Sequence, residues 1–234
     1  LSSLGWVVGG VETLVRAMLD CIGPAGTLAT IASWDDIPFR VDRWAPAWRQ
    51  AYLEEMPGFD PEHSQANPAY GRFPERLRTW PGARKSGHPD QRVIAVGPLA
   101  ERLTADHPLD DSFGPASPFA RLAGLDGLVL LLGAPLSSLT LVHHAEAIAN
   151  AACKRRWTYR LPFATAHGAE WRTLHDIDTD AGPFPYAGVG EVAAAALAAG
   201  IGTTRRVAGA TCHLLPAREL VRFGVAWLEE RFGD

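Results

Sequence analysis

The sequence predicts an α/β fold with a mixed, mostly parallel central sheet flanked by helices. Short apolar, β-rich segments alternate with amphipathic helical segments along most of the chain, which is typical of this class. One stretch interrupts the alternation, because residues 35–81 are rich in proline, tryptophan and charge. This stretch predicts a long, partly helical insertion within a single domain spanning residues 1–234. Long insertions often bind substrate, and we expect this one to do so.

Hydrophobic periodicity and capping residues predict the individual elements. Apolar residues at helical spacing predict a first helix that ends at Gly23, and Ser117 before a proline predicts the N-cap of a later helix. Helices are predicted over residues 11–22, 98–106, 117–124, 137–153, 191–200 and 218–233. Strands are predicted over residues 27–34, 92–97, 127–133, 157–165 and 170–180 and within 204–217, with 27–34 and 127–133 buried. Residues 1–10 read as a strand-to-helix loop, so we expect an N-terminal strand outside the numbered sequence.

Composition excludes several classes of function. The net charge is −4 with a pI of about 6.1 and no basic patch, so nucleic acid is a poor candidate partner. No apolar stretch approaches the roughly 20 residues that a membrane span needs. The three cysteines are far apart and form no CxxC motif, which favours a reducing, cytoplasmic location. A mildly acidic surface suits a cationic substrate. Both a monomer and a homodimer remain open.

The most informative segment is the predicted strand 127–133 with the loop and helix that follow it. Ligands of open α/β sheets bind at the carboxyl ends of strands, where helix N-termini supply backbone N–H groups. Thr140, His143 and Glu146 follow at spacing i, i+3, i+6 and are expected on one side of the first two turns. A hydroxyl, an imidazole and a carboxylate there could transfer protons. The alternative is that Thr140 is a helix-terminal hydroxyl and His143 a packing residue.

Three further segments carry possible binding groups. In residues 174–182, Asp176, Asp178 and Asp180 point the same way if the chain is extended, which suits a cation, although a solvated loop is the alternative. Residues 84–92 place cations, a serine and a histidine before a strand, as in a phosphate site or a surface turn. Trp34 beside two aspartates suits an ammonium-bearing ring.

Taken together, these segments resemble the aminoglycoside 3-N-acetyltransferases of the antibiotic N-acetyltransferase family. The resemblance covers nearly the full length and is most specific in LLLGAPLSSLTLVHHAEAIA, with its GAP…T-x-x-H-x-A-E pattern. It also rests on LGWVVGGVETLV, ASWDDIPF, PGFDP, PGARKSGHPDQRVIAVGPLAE, GPASPFARL, LHDIDTD and VRFGVAWLEERFG. This family is unrelated to the GNAT acetyltransferases, whose glycine-rich pyrophosphate loop we do not find in the sequence. Members carry a V-H-x-S-L segment, and this chain begins at its leucine.

The resemblance implies direct transfer of an acetyl group from acetyl-CoA to the 3-amino group of the 2-deoxystreptamine ring of aminoglycosides, which confers resistance. It implies that His143 is the general base and that Asp178, or else Asp176, orients the imidazole. Glu146 could share that role, and Thr140 would stabilise the oxyanion. An imidazole suits a base because its ordinary pKa lies near 6.5.

We expect the two substrates to bind separate sets of residues, and we expect no metal. The residues predicted to bind acetyl-CoA are Ser2, Ser3, Leu4, Gly5, Arg84, Ser86, His88 and Ser117. The residues predicted to bind the antibiotic are Trp34, Asp35, Asp60, Glu146 and Asp178.

Two alternatives stay open on the sequence alone. One is a metal-dependent hydrolase of a cationic substrate that uses His143, His144, Glu146 and the aspartate cluster, although adjacent histidines face apart on a helix. Stoichiometric zinc would favour it. The other is a non-catalytic module that binds coenzyme A or a small cation. Tight acetyl-CoA binding without thiol release would favour that module.

Overall fold

A computed structural model describes residues 2–37 and 44–233, with Ser2 described by its backbone alone. The predicted alternation of helices and strands is confirmed there. The helices are α1 Gly10–Ile22, α2 Pro46–Glu55, α3 Arg72–Arg78, α4 Ala100–Thr104, α5 Pro118–Gly124, α6 Val142–Ile148, α7 Val189–Ala198 and α8 Ala217–Phe232. The strands are β1 Leu28–Ile31, β2 Arg84–Lys85, β3 Val93–Val96, β4 Leu128–Leu132, β5 Arg156–Thr165, β6 Gly168–Ile177, β7 Thr203–Val207 and β8 Ala210–Pro216. Residues 38–43 of the predicted insertion lie outside the described residues.

The strands form small sheets, which corrects the prediction of a mostly parallel central sheet. One sheet has the order β1-β3-β2, another β4-β8-β7, and β5 pairs with β6. β1 and β2 both pair antiparallel with β3, and β4 and β7 both pair antiparallel with β8. Apolar runs of four or five residues occur in buried strands of either orientation, so the sequence pattern could not distinguish them.

Strand β4 corrects a second prediction, because it is not buried throughout. Leu128 is 59% and Leu130 is 45% exposed, whereas Leu131 is 6% exposed. β4 lies at the edge of its sheet, and successive side chains of a strand point to opposite faces. One face packs inside the fold and the other stays open among the described residues. β1 is likewise only half-buried.

Helix α6 is shorter than the predicted helix over residues 137–153. A 3-10 turn at Leu136–Ser138 precedes it, and it ends at Ile148. The Lys154 ammonium then donates to the carbonyls of Ala147 and Ala149, at 2.9 and 2.6 Å. Because these carbonyls are left over at a helix C-terminus, the lysine stabilises the end of α6.

The chain divides into two compact units. The first comprises Leu1–Ala17, Asp106–Trp157 and His175–Asp234, and it contains α5 to α8 and the sheet β4-β8-β7. The second comprises Met18–Ala105 and Thr158–Leu174, and it contains α2 to α4 and the sheet β1-β3-β2. Among the described helices, none combines the length and apolar character needed to cross a membrane.

Candidate active site

A histidine and a glutamate on α6 form the centre of the candidate site, in the first unit. His143 and Glu146 are three residues apart, so one helix face carries both. The Nδ1 atom of His143 is hydrogen-bonded to one carboxylate oxygen of Glu146. The Glu146 side chain is 1% exposed and that of His143 is 17% exposed. A buried carboxylate therefore fixes the orientation of a partly accessible imidazole.

Tyr186 completes this arrangement from the other side of the carboxylate. Its hydroxyl donates to the second oxygen of Glu146, so both oxygens are engaged. Burial, and then the charge of Glu146, raise the pKa of Tyr186 above its ordinary range, so the phenol stays protonated and remains a donor. The Tyr186 ring lies 5.7 Å from that of Trp227 in α8 and 6.2 Å from that of Phe232. These ring contacts fix the position of the hydroxyl.

The core of the first unit positions α6. Leu139, Val142 and Ala145 of the predicted helix 137–153 are each at most 1% exposed, as expected for the buried side of an amphipathic segment. Gly224 of α8 faces Ala145 so closely that a Cβ placed on it would lie 2.9 Å from the Ala145 Cβ. Close packing of α8 against α6 therefore fixes the position of the helix that carries the imidazole–carboxylate pair.

The two predicted aspartate partners of His143 make other contacts, which corrects that prediction. β6 ends at Ile177, so the extended alternation of the aspartates stops there. Asp178 accepts a hydrogen bond from the Ala181 N–H at 2.9 Å, within a turn. Asp176 is 3% exposed and accepts from both the hydroxyl and the N–H of Ser112. The carboxylate on the imidazole is that of Glu146.

Thr140 lies two residues before α6 rather than in its first turns. Its hydroxyl is 3.4 Å from the carbonyl oxygen of Ser138. The side chain is half-buried. The predicted i, i+3, i+6 spacing on a helix therefore holds only for its last two members, His143 and Glu146.

The predicted coenzyme A residues of the first unit lie at loops and at a helix cap. The Ser3 hydroxyl donates to the Gly133 carbonyl at 2.8 Å, just after β4. Leu4 packs with Ala210 and Cys212 in the core, and Gly5 has a positive φ of 87° that favours glycine. Ser117 is 0% exposed and caps α5 by accepting from Ala120 N–H, as predicted. The side chain of Ser2 lies outside what the structure describes.

The predicted coenzyme A residues of the second unit shape the turn between β2 and β3. Arg84 is exposed and pairs with Glu101 at 3.3 Å. Ser86 is buried and accepts from the Val93 N–H at 2.8 Å. His88 is 0% exposed, and its Nδ1 accepts from the Asp90 and Gln91 N–H groups. Both buried side chains thus fold the loop that follows Arg84.

The predicted antibiotic residues of the second unit differ in exposure. Trp34 is 2% exposed, with its ring 5.7 Å from that of Phe59, so it is a core residue and the predicted open aromatic face is wrong. Asp35 is exposed. Asp60 is half-buried, and hydrogen bonds led by that of the His63 imidazole lower its pKa. Among the acidic groups of this segment, Asp35 is therefore open to solvent and Asp60 partly so.

No sequence pattern indicated two residues of this site, Tyr186 beside the Glu146 carboxylate and Phe113 beside the imidazole. Tyr186 lies forty positions from Glu146 in a turn rich in proline and glycine, and the Phe113 ring centroid is 5.2 Å from that of His143. Neither residue belongs to a periodic element, so no local pattern could have indicated them. Across the residues that the structure describes, no group of three His, Cys, Asp or Glu side chains is arranged to hold a metal ion.

The fold and the site define an α/β protein equipped for general-base catalysis by a carboxylate-held histidine. A family model described as aminoglycoside 3-N-acetyltransferase matches residues 1–229. Aminoglycoside N(3)-acetyltransferase VIII of Streptomyces fradiae is 48% identical over 242 residues, covering 100% of this chain and 84% of that protein. The chain belongs to the aminoglycoside 3-N-acetyltransferase family.

Solved structures agree with this assignment. The crystal structure of aminoglycoside acetyltransferase AAC(3)-Xa matches with a TM-score of 0.92 at 44% identity, covering 99% of this chain and 85% of that one. A structure described as AAC-IIIb binary with CoASH matches with a TM-score of 0.88 at 39% identity, covering 99% of this chain and 88% of that one.

Proposed function

We propose that this protein transfers the acetyl group of acetyl-CoA to the 3-amino group of the 2-deoxystreptamine ring of aminoglycoside antibiotics, and so confers resistance to them. The observation that carries the proposal is the imidazole of His143 held at Nδ1 by the buried carboxylate of Glu146. Since Nδ1 is engaged, Nε2 is the ring nitrogen that remains to accept a proton.

The reaction is a direct acyl transfer. The amine nitrogen attacks the thioester carbonyl, and His143 removes a proton from that nitrogen as the new C–N bond forms. The C–S bond then breaks, and the imidazolium returns the proton to the leaving thiolate, which gives free coenzyme A and the amide. General-base catalysis of this kind typically contributes about 100- to 10,000-fold.

Glu146 and Tyr186 support the base without touching substrate in this mechanism. The carboxylate keeps the proton of neutral His143 on Nδ1 and stabilises the imidazolium as it forms. The Tyr186 hydroxyl holds the second oxygen of that carboxylate and limits its rotation. We assign the thioester oxyanion to the Thr140 hydroxyl and nearby N–H groups, because these groups directly precede the helix that carries the base.

Acetyl-CoA is proposed to bind through loop backbone more than through the predicted serine and histidine side chains. Ser86, His88 and Ser117 are buried and already accept hydrogen bonds from N–H groups close to them in the chain, so their role is to fix the shape of loops whose other backbone groups contact the ligand. Ser3 and Arg84 are exposed and can contact the anionic ligand directly. The residues 2–5 loop then lies along the pantetheine.

The antibiotic carries several ammonium groups, and the exposed acids of the second unit suit them. Asp35 and its neighbour Asp36 are exposed. Burial raises the pKa of Tyr52, and the negative charges of Asp36 and Asp35 raise it further, so both carboxylates act on the same region. In the second unit we assign drug recognition to Asp35 and Asp60, which lie in the predicted insertion. We also propose a cytoplasmic location, on the basis that Cys21, Cys153 and Cys212 are free thiols.

Thiol release tests the function. Purified protein is given acetyl-CoA with gentamicin, kanamycin, apramycin or tobramycin, and free coenzyme A is measured with a thiol reagent. We expect drug-dependent release with at least one of them and an acetylated product by mass spectrometry. The proposal would be contradicted if thiol release were the same in the presence and absence of each drug and no acetylated product were formed.

A further inference from the structure

We propose that Asp176, Ser112 and Phe113 form a positioning device for His143, in which Asp176 holds the turn that carries Phe113 against the imidazole. The inference rests on the proposed role of His143 as general base. It concerns residues that do not touch substrate and that act through the imidazole.

The first part of the device is the link between Asp176 and Ser112. Ser112 is 0% exposed, and both its hydroxyl and its N–H donate to the Oδ2 atom of Asp176, the N–H at 3.2 Å. The Oδ1 atom accepts from the Ile177 N–H at 2.9 Å. A carboxylate that receives three donors in the interior is held in one orientation, and it holds Ser112 in turn.

Two buried histidines hold the carbonyl groups of the same turn. The Nε2 atom of His107 lies 3.0 Å from the Ser112 carbonyl oxygen, and the Nδ1 atom of His144 lies 2.6 Å from that of Phe113. Because a carbonyl can only accept, each of these ring nitrogens donates. Burial lowers the pKa of both imidazoles, that of His107 to about 4, so each ring is neutral at pH 7 with its single N–H directed at the turn.

The turn needs such support because its backbone is strained. Asp111 has a φ of 52°, a value that residues other than glycine adopt at a cost. Its N–H donates to the His175 carbonyl at 2.9 Å, and the His175 N–H donates to the Asp110 side chain at 2.7 Å. The start of the turn is therefore tied to the same strand that supplies Asp176.

Phe113 connects the turn to the imidazole, because its ring packs against that of His143. It is 1% exposed, its ring centroid is 5.2 Å from that of His143, and the two planes are inclined at 53°. Its ring also lies 4.8 Å from that of Phe119. Glu146 fixes the imidazole at Nδ1, and Phe113 restricts its rotation out of that plane. A displacement of about 1 Å at a reacting group can cost about 100-fold in rate, so this restraint matters to catalysis.

The proposed role of Asp176, which is to position His143 without contacting it, agrees with where this carboxylate lies. Asp176 is a buried carboxylate in the same unit as the base, and burial raises its pKa. Its hydrogen bonds go to the turn that carries Phe113 rather than to the imidazole. Its influence on His143 is therefore indirect, through two residues.

The test compares Asp176→Ala, Asp176→Asn and Phe113→Leu with a control, Thr104→Val. Thr104 is buried and its hydroxyl donates to the Ala100 carbonyl within α4, so the control removes a buried hydrogen bond that does not involve the turn. For each folded variant we would measure kcat, the KM for one drug, and the imidazole 15N signals of His143 by NMR.

We expect Asp176→Ala to lower kcat about 10- to 100-fold while KM changes less than about threefold. Asp176→Asn should recover part of kcat, because its amide oxygen can still accept from Ser112. Phe113→Leu should resemble Asp176→Ala and keeps the test decisive if the alanine variant does not fold. In both low-activity variants the His143 signals should broaden or shift, whereas Thr104→Val should match the wild type.

Wild-type kcat and unchanged His143 signals in folded Asp176→Ala or Phe113→Leu would overturn the inference. The variant His143→Ala separates this outcome from failure of the proposed function. If His143→Ala is inactive while those variants are fully active, only the positioning device is refuted. If His143→Ala keeps wild-type kcat, the general-base role on which the device rests is refuted.

Discussion

At the scale of single residues, the rigidity of the catalytic pair depends on which acid is hydrogen-bonded to His143. Glu146 lies one helical turn from the histidine, so the backbone of α6 sets the distance between the two side chains. An aspartate from the end of β6 would depend on the packing of two separate elements. A partner on the same helix gives a more rigid pair, because fewer backbone segments must be held in place.

The first prediction compares Glu146→Gln with Asp178→Asn. Glutamine keeps the shape but loses the charge that stabilises the imidazolium, so we expect kcat to fall about 100-fold or more. Asparagine at 178 can still accept from the Ala181 N–H, so we expect kcat within about threefold of the wild type. Steady-state kinetics with one drug checks this, and a larger loss for Asp178→Asn would restore the aspartate as the orienting acid.

The second prediction concerns His107 and pH. Its pKa in the folded protein is lowered to about 4 by burial, while an unfolded chain has about 6.5, so the unfolded state binds more protons between these values. The free energy of unfolding should therefore fall as pH drops from about 6.5 towards 4, by on the order of 3 kcal/mol from this residue. Urea unfolding of wild type and His107→Gln checks it. An equally steep fall in the variant would show that another group is responsible.

At the scale of elements, the sequence predicted the type of most segments and missed their limits and partners. The amphipathic pattern after Gly9 and the capping serine before α5 were sufficient, because periodicity and caps are local signals. Local signals could not predict the limits of α6 or the pairing of the strands, because both depend on tertiary contacts such as those of Lys154. For the same reason the sequence indicated His143 and Glu146 but gave no signal for Tyr186 or Phe113.

The third prediction tests the packing of α6 on α8. In Gly224→Ala the new methyl group would lie 2.9 Å from the Ala145 Cβ, so the helices must separate. We expect the free energy of unfolding to fall by about 1–3 kcal/mol and activity to fall with it. Gly124→Ala is the matched control, because a Cβ there meets nothing within 4 Å. Equal stability of the two variants in thermal unfolding would argue against close packing at Gly224.

At the scale of the whole molecule, the net charge of −4 and its exposed acids suit a polycationic substrate. Composition alone excluded nucleic acid and a membrane span but could not name the substrate. The family resemblance indicated the substrate, because a long, specific motif is associated with one particular reaction. Which side chains reach the surface depends on the fold. Trp34 is buried, whereas Asp35, its neighbour in sequence, is exposed.

The fourth prediction concerns recognition of the drug. Asp35→Asn should raise the KM for an aminoglycoside about twofold to fivefold and leave kcat and the KM for acetyl-CoA nearly unchanged, because exposed ion pairs contribute about 0.2–1 kcal/mol each. Added salt should raise the drug KM less steeply in this variant than in the wild type. Glu170→Gln makes the same charge change at an exposed residue that is paired with Arg172, and it serves as control. Identical effects of the two substitutions would show only a general charge effect.

The most direct test of the mechanism is the kcat of His143→Ala for thiol release with a drug that the wild type acetylates. The wild-type reaction depends on removal of a proton by this imidazole, so we predict that kcat falls about 100- to 10,000-fold while the protein remains folded. Circular dichroism and thermal unfolding establish the folded state of the variant. A folded His143→Ala protein that keeps more than about a tenth of the wild-type kcat would contradict the assignment of His143 as the general base.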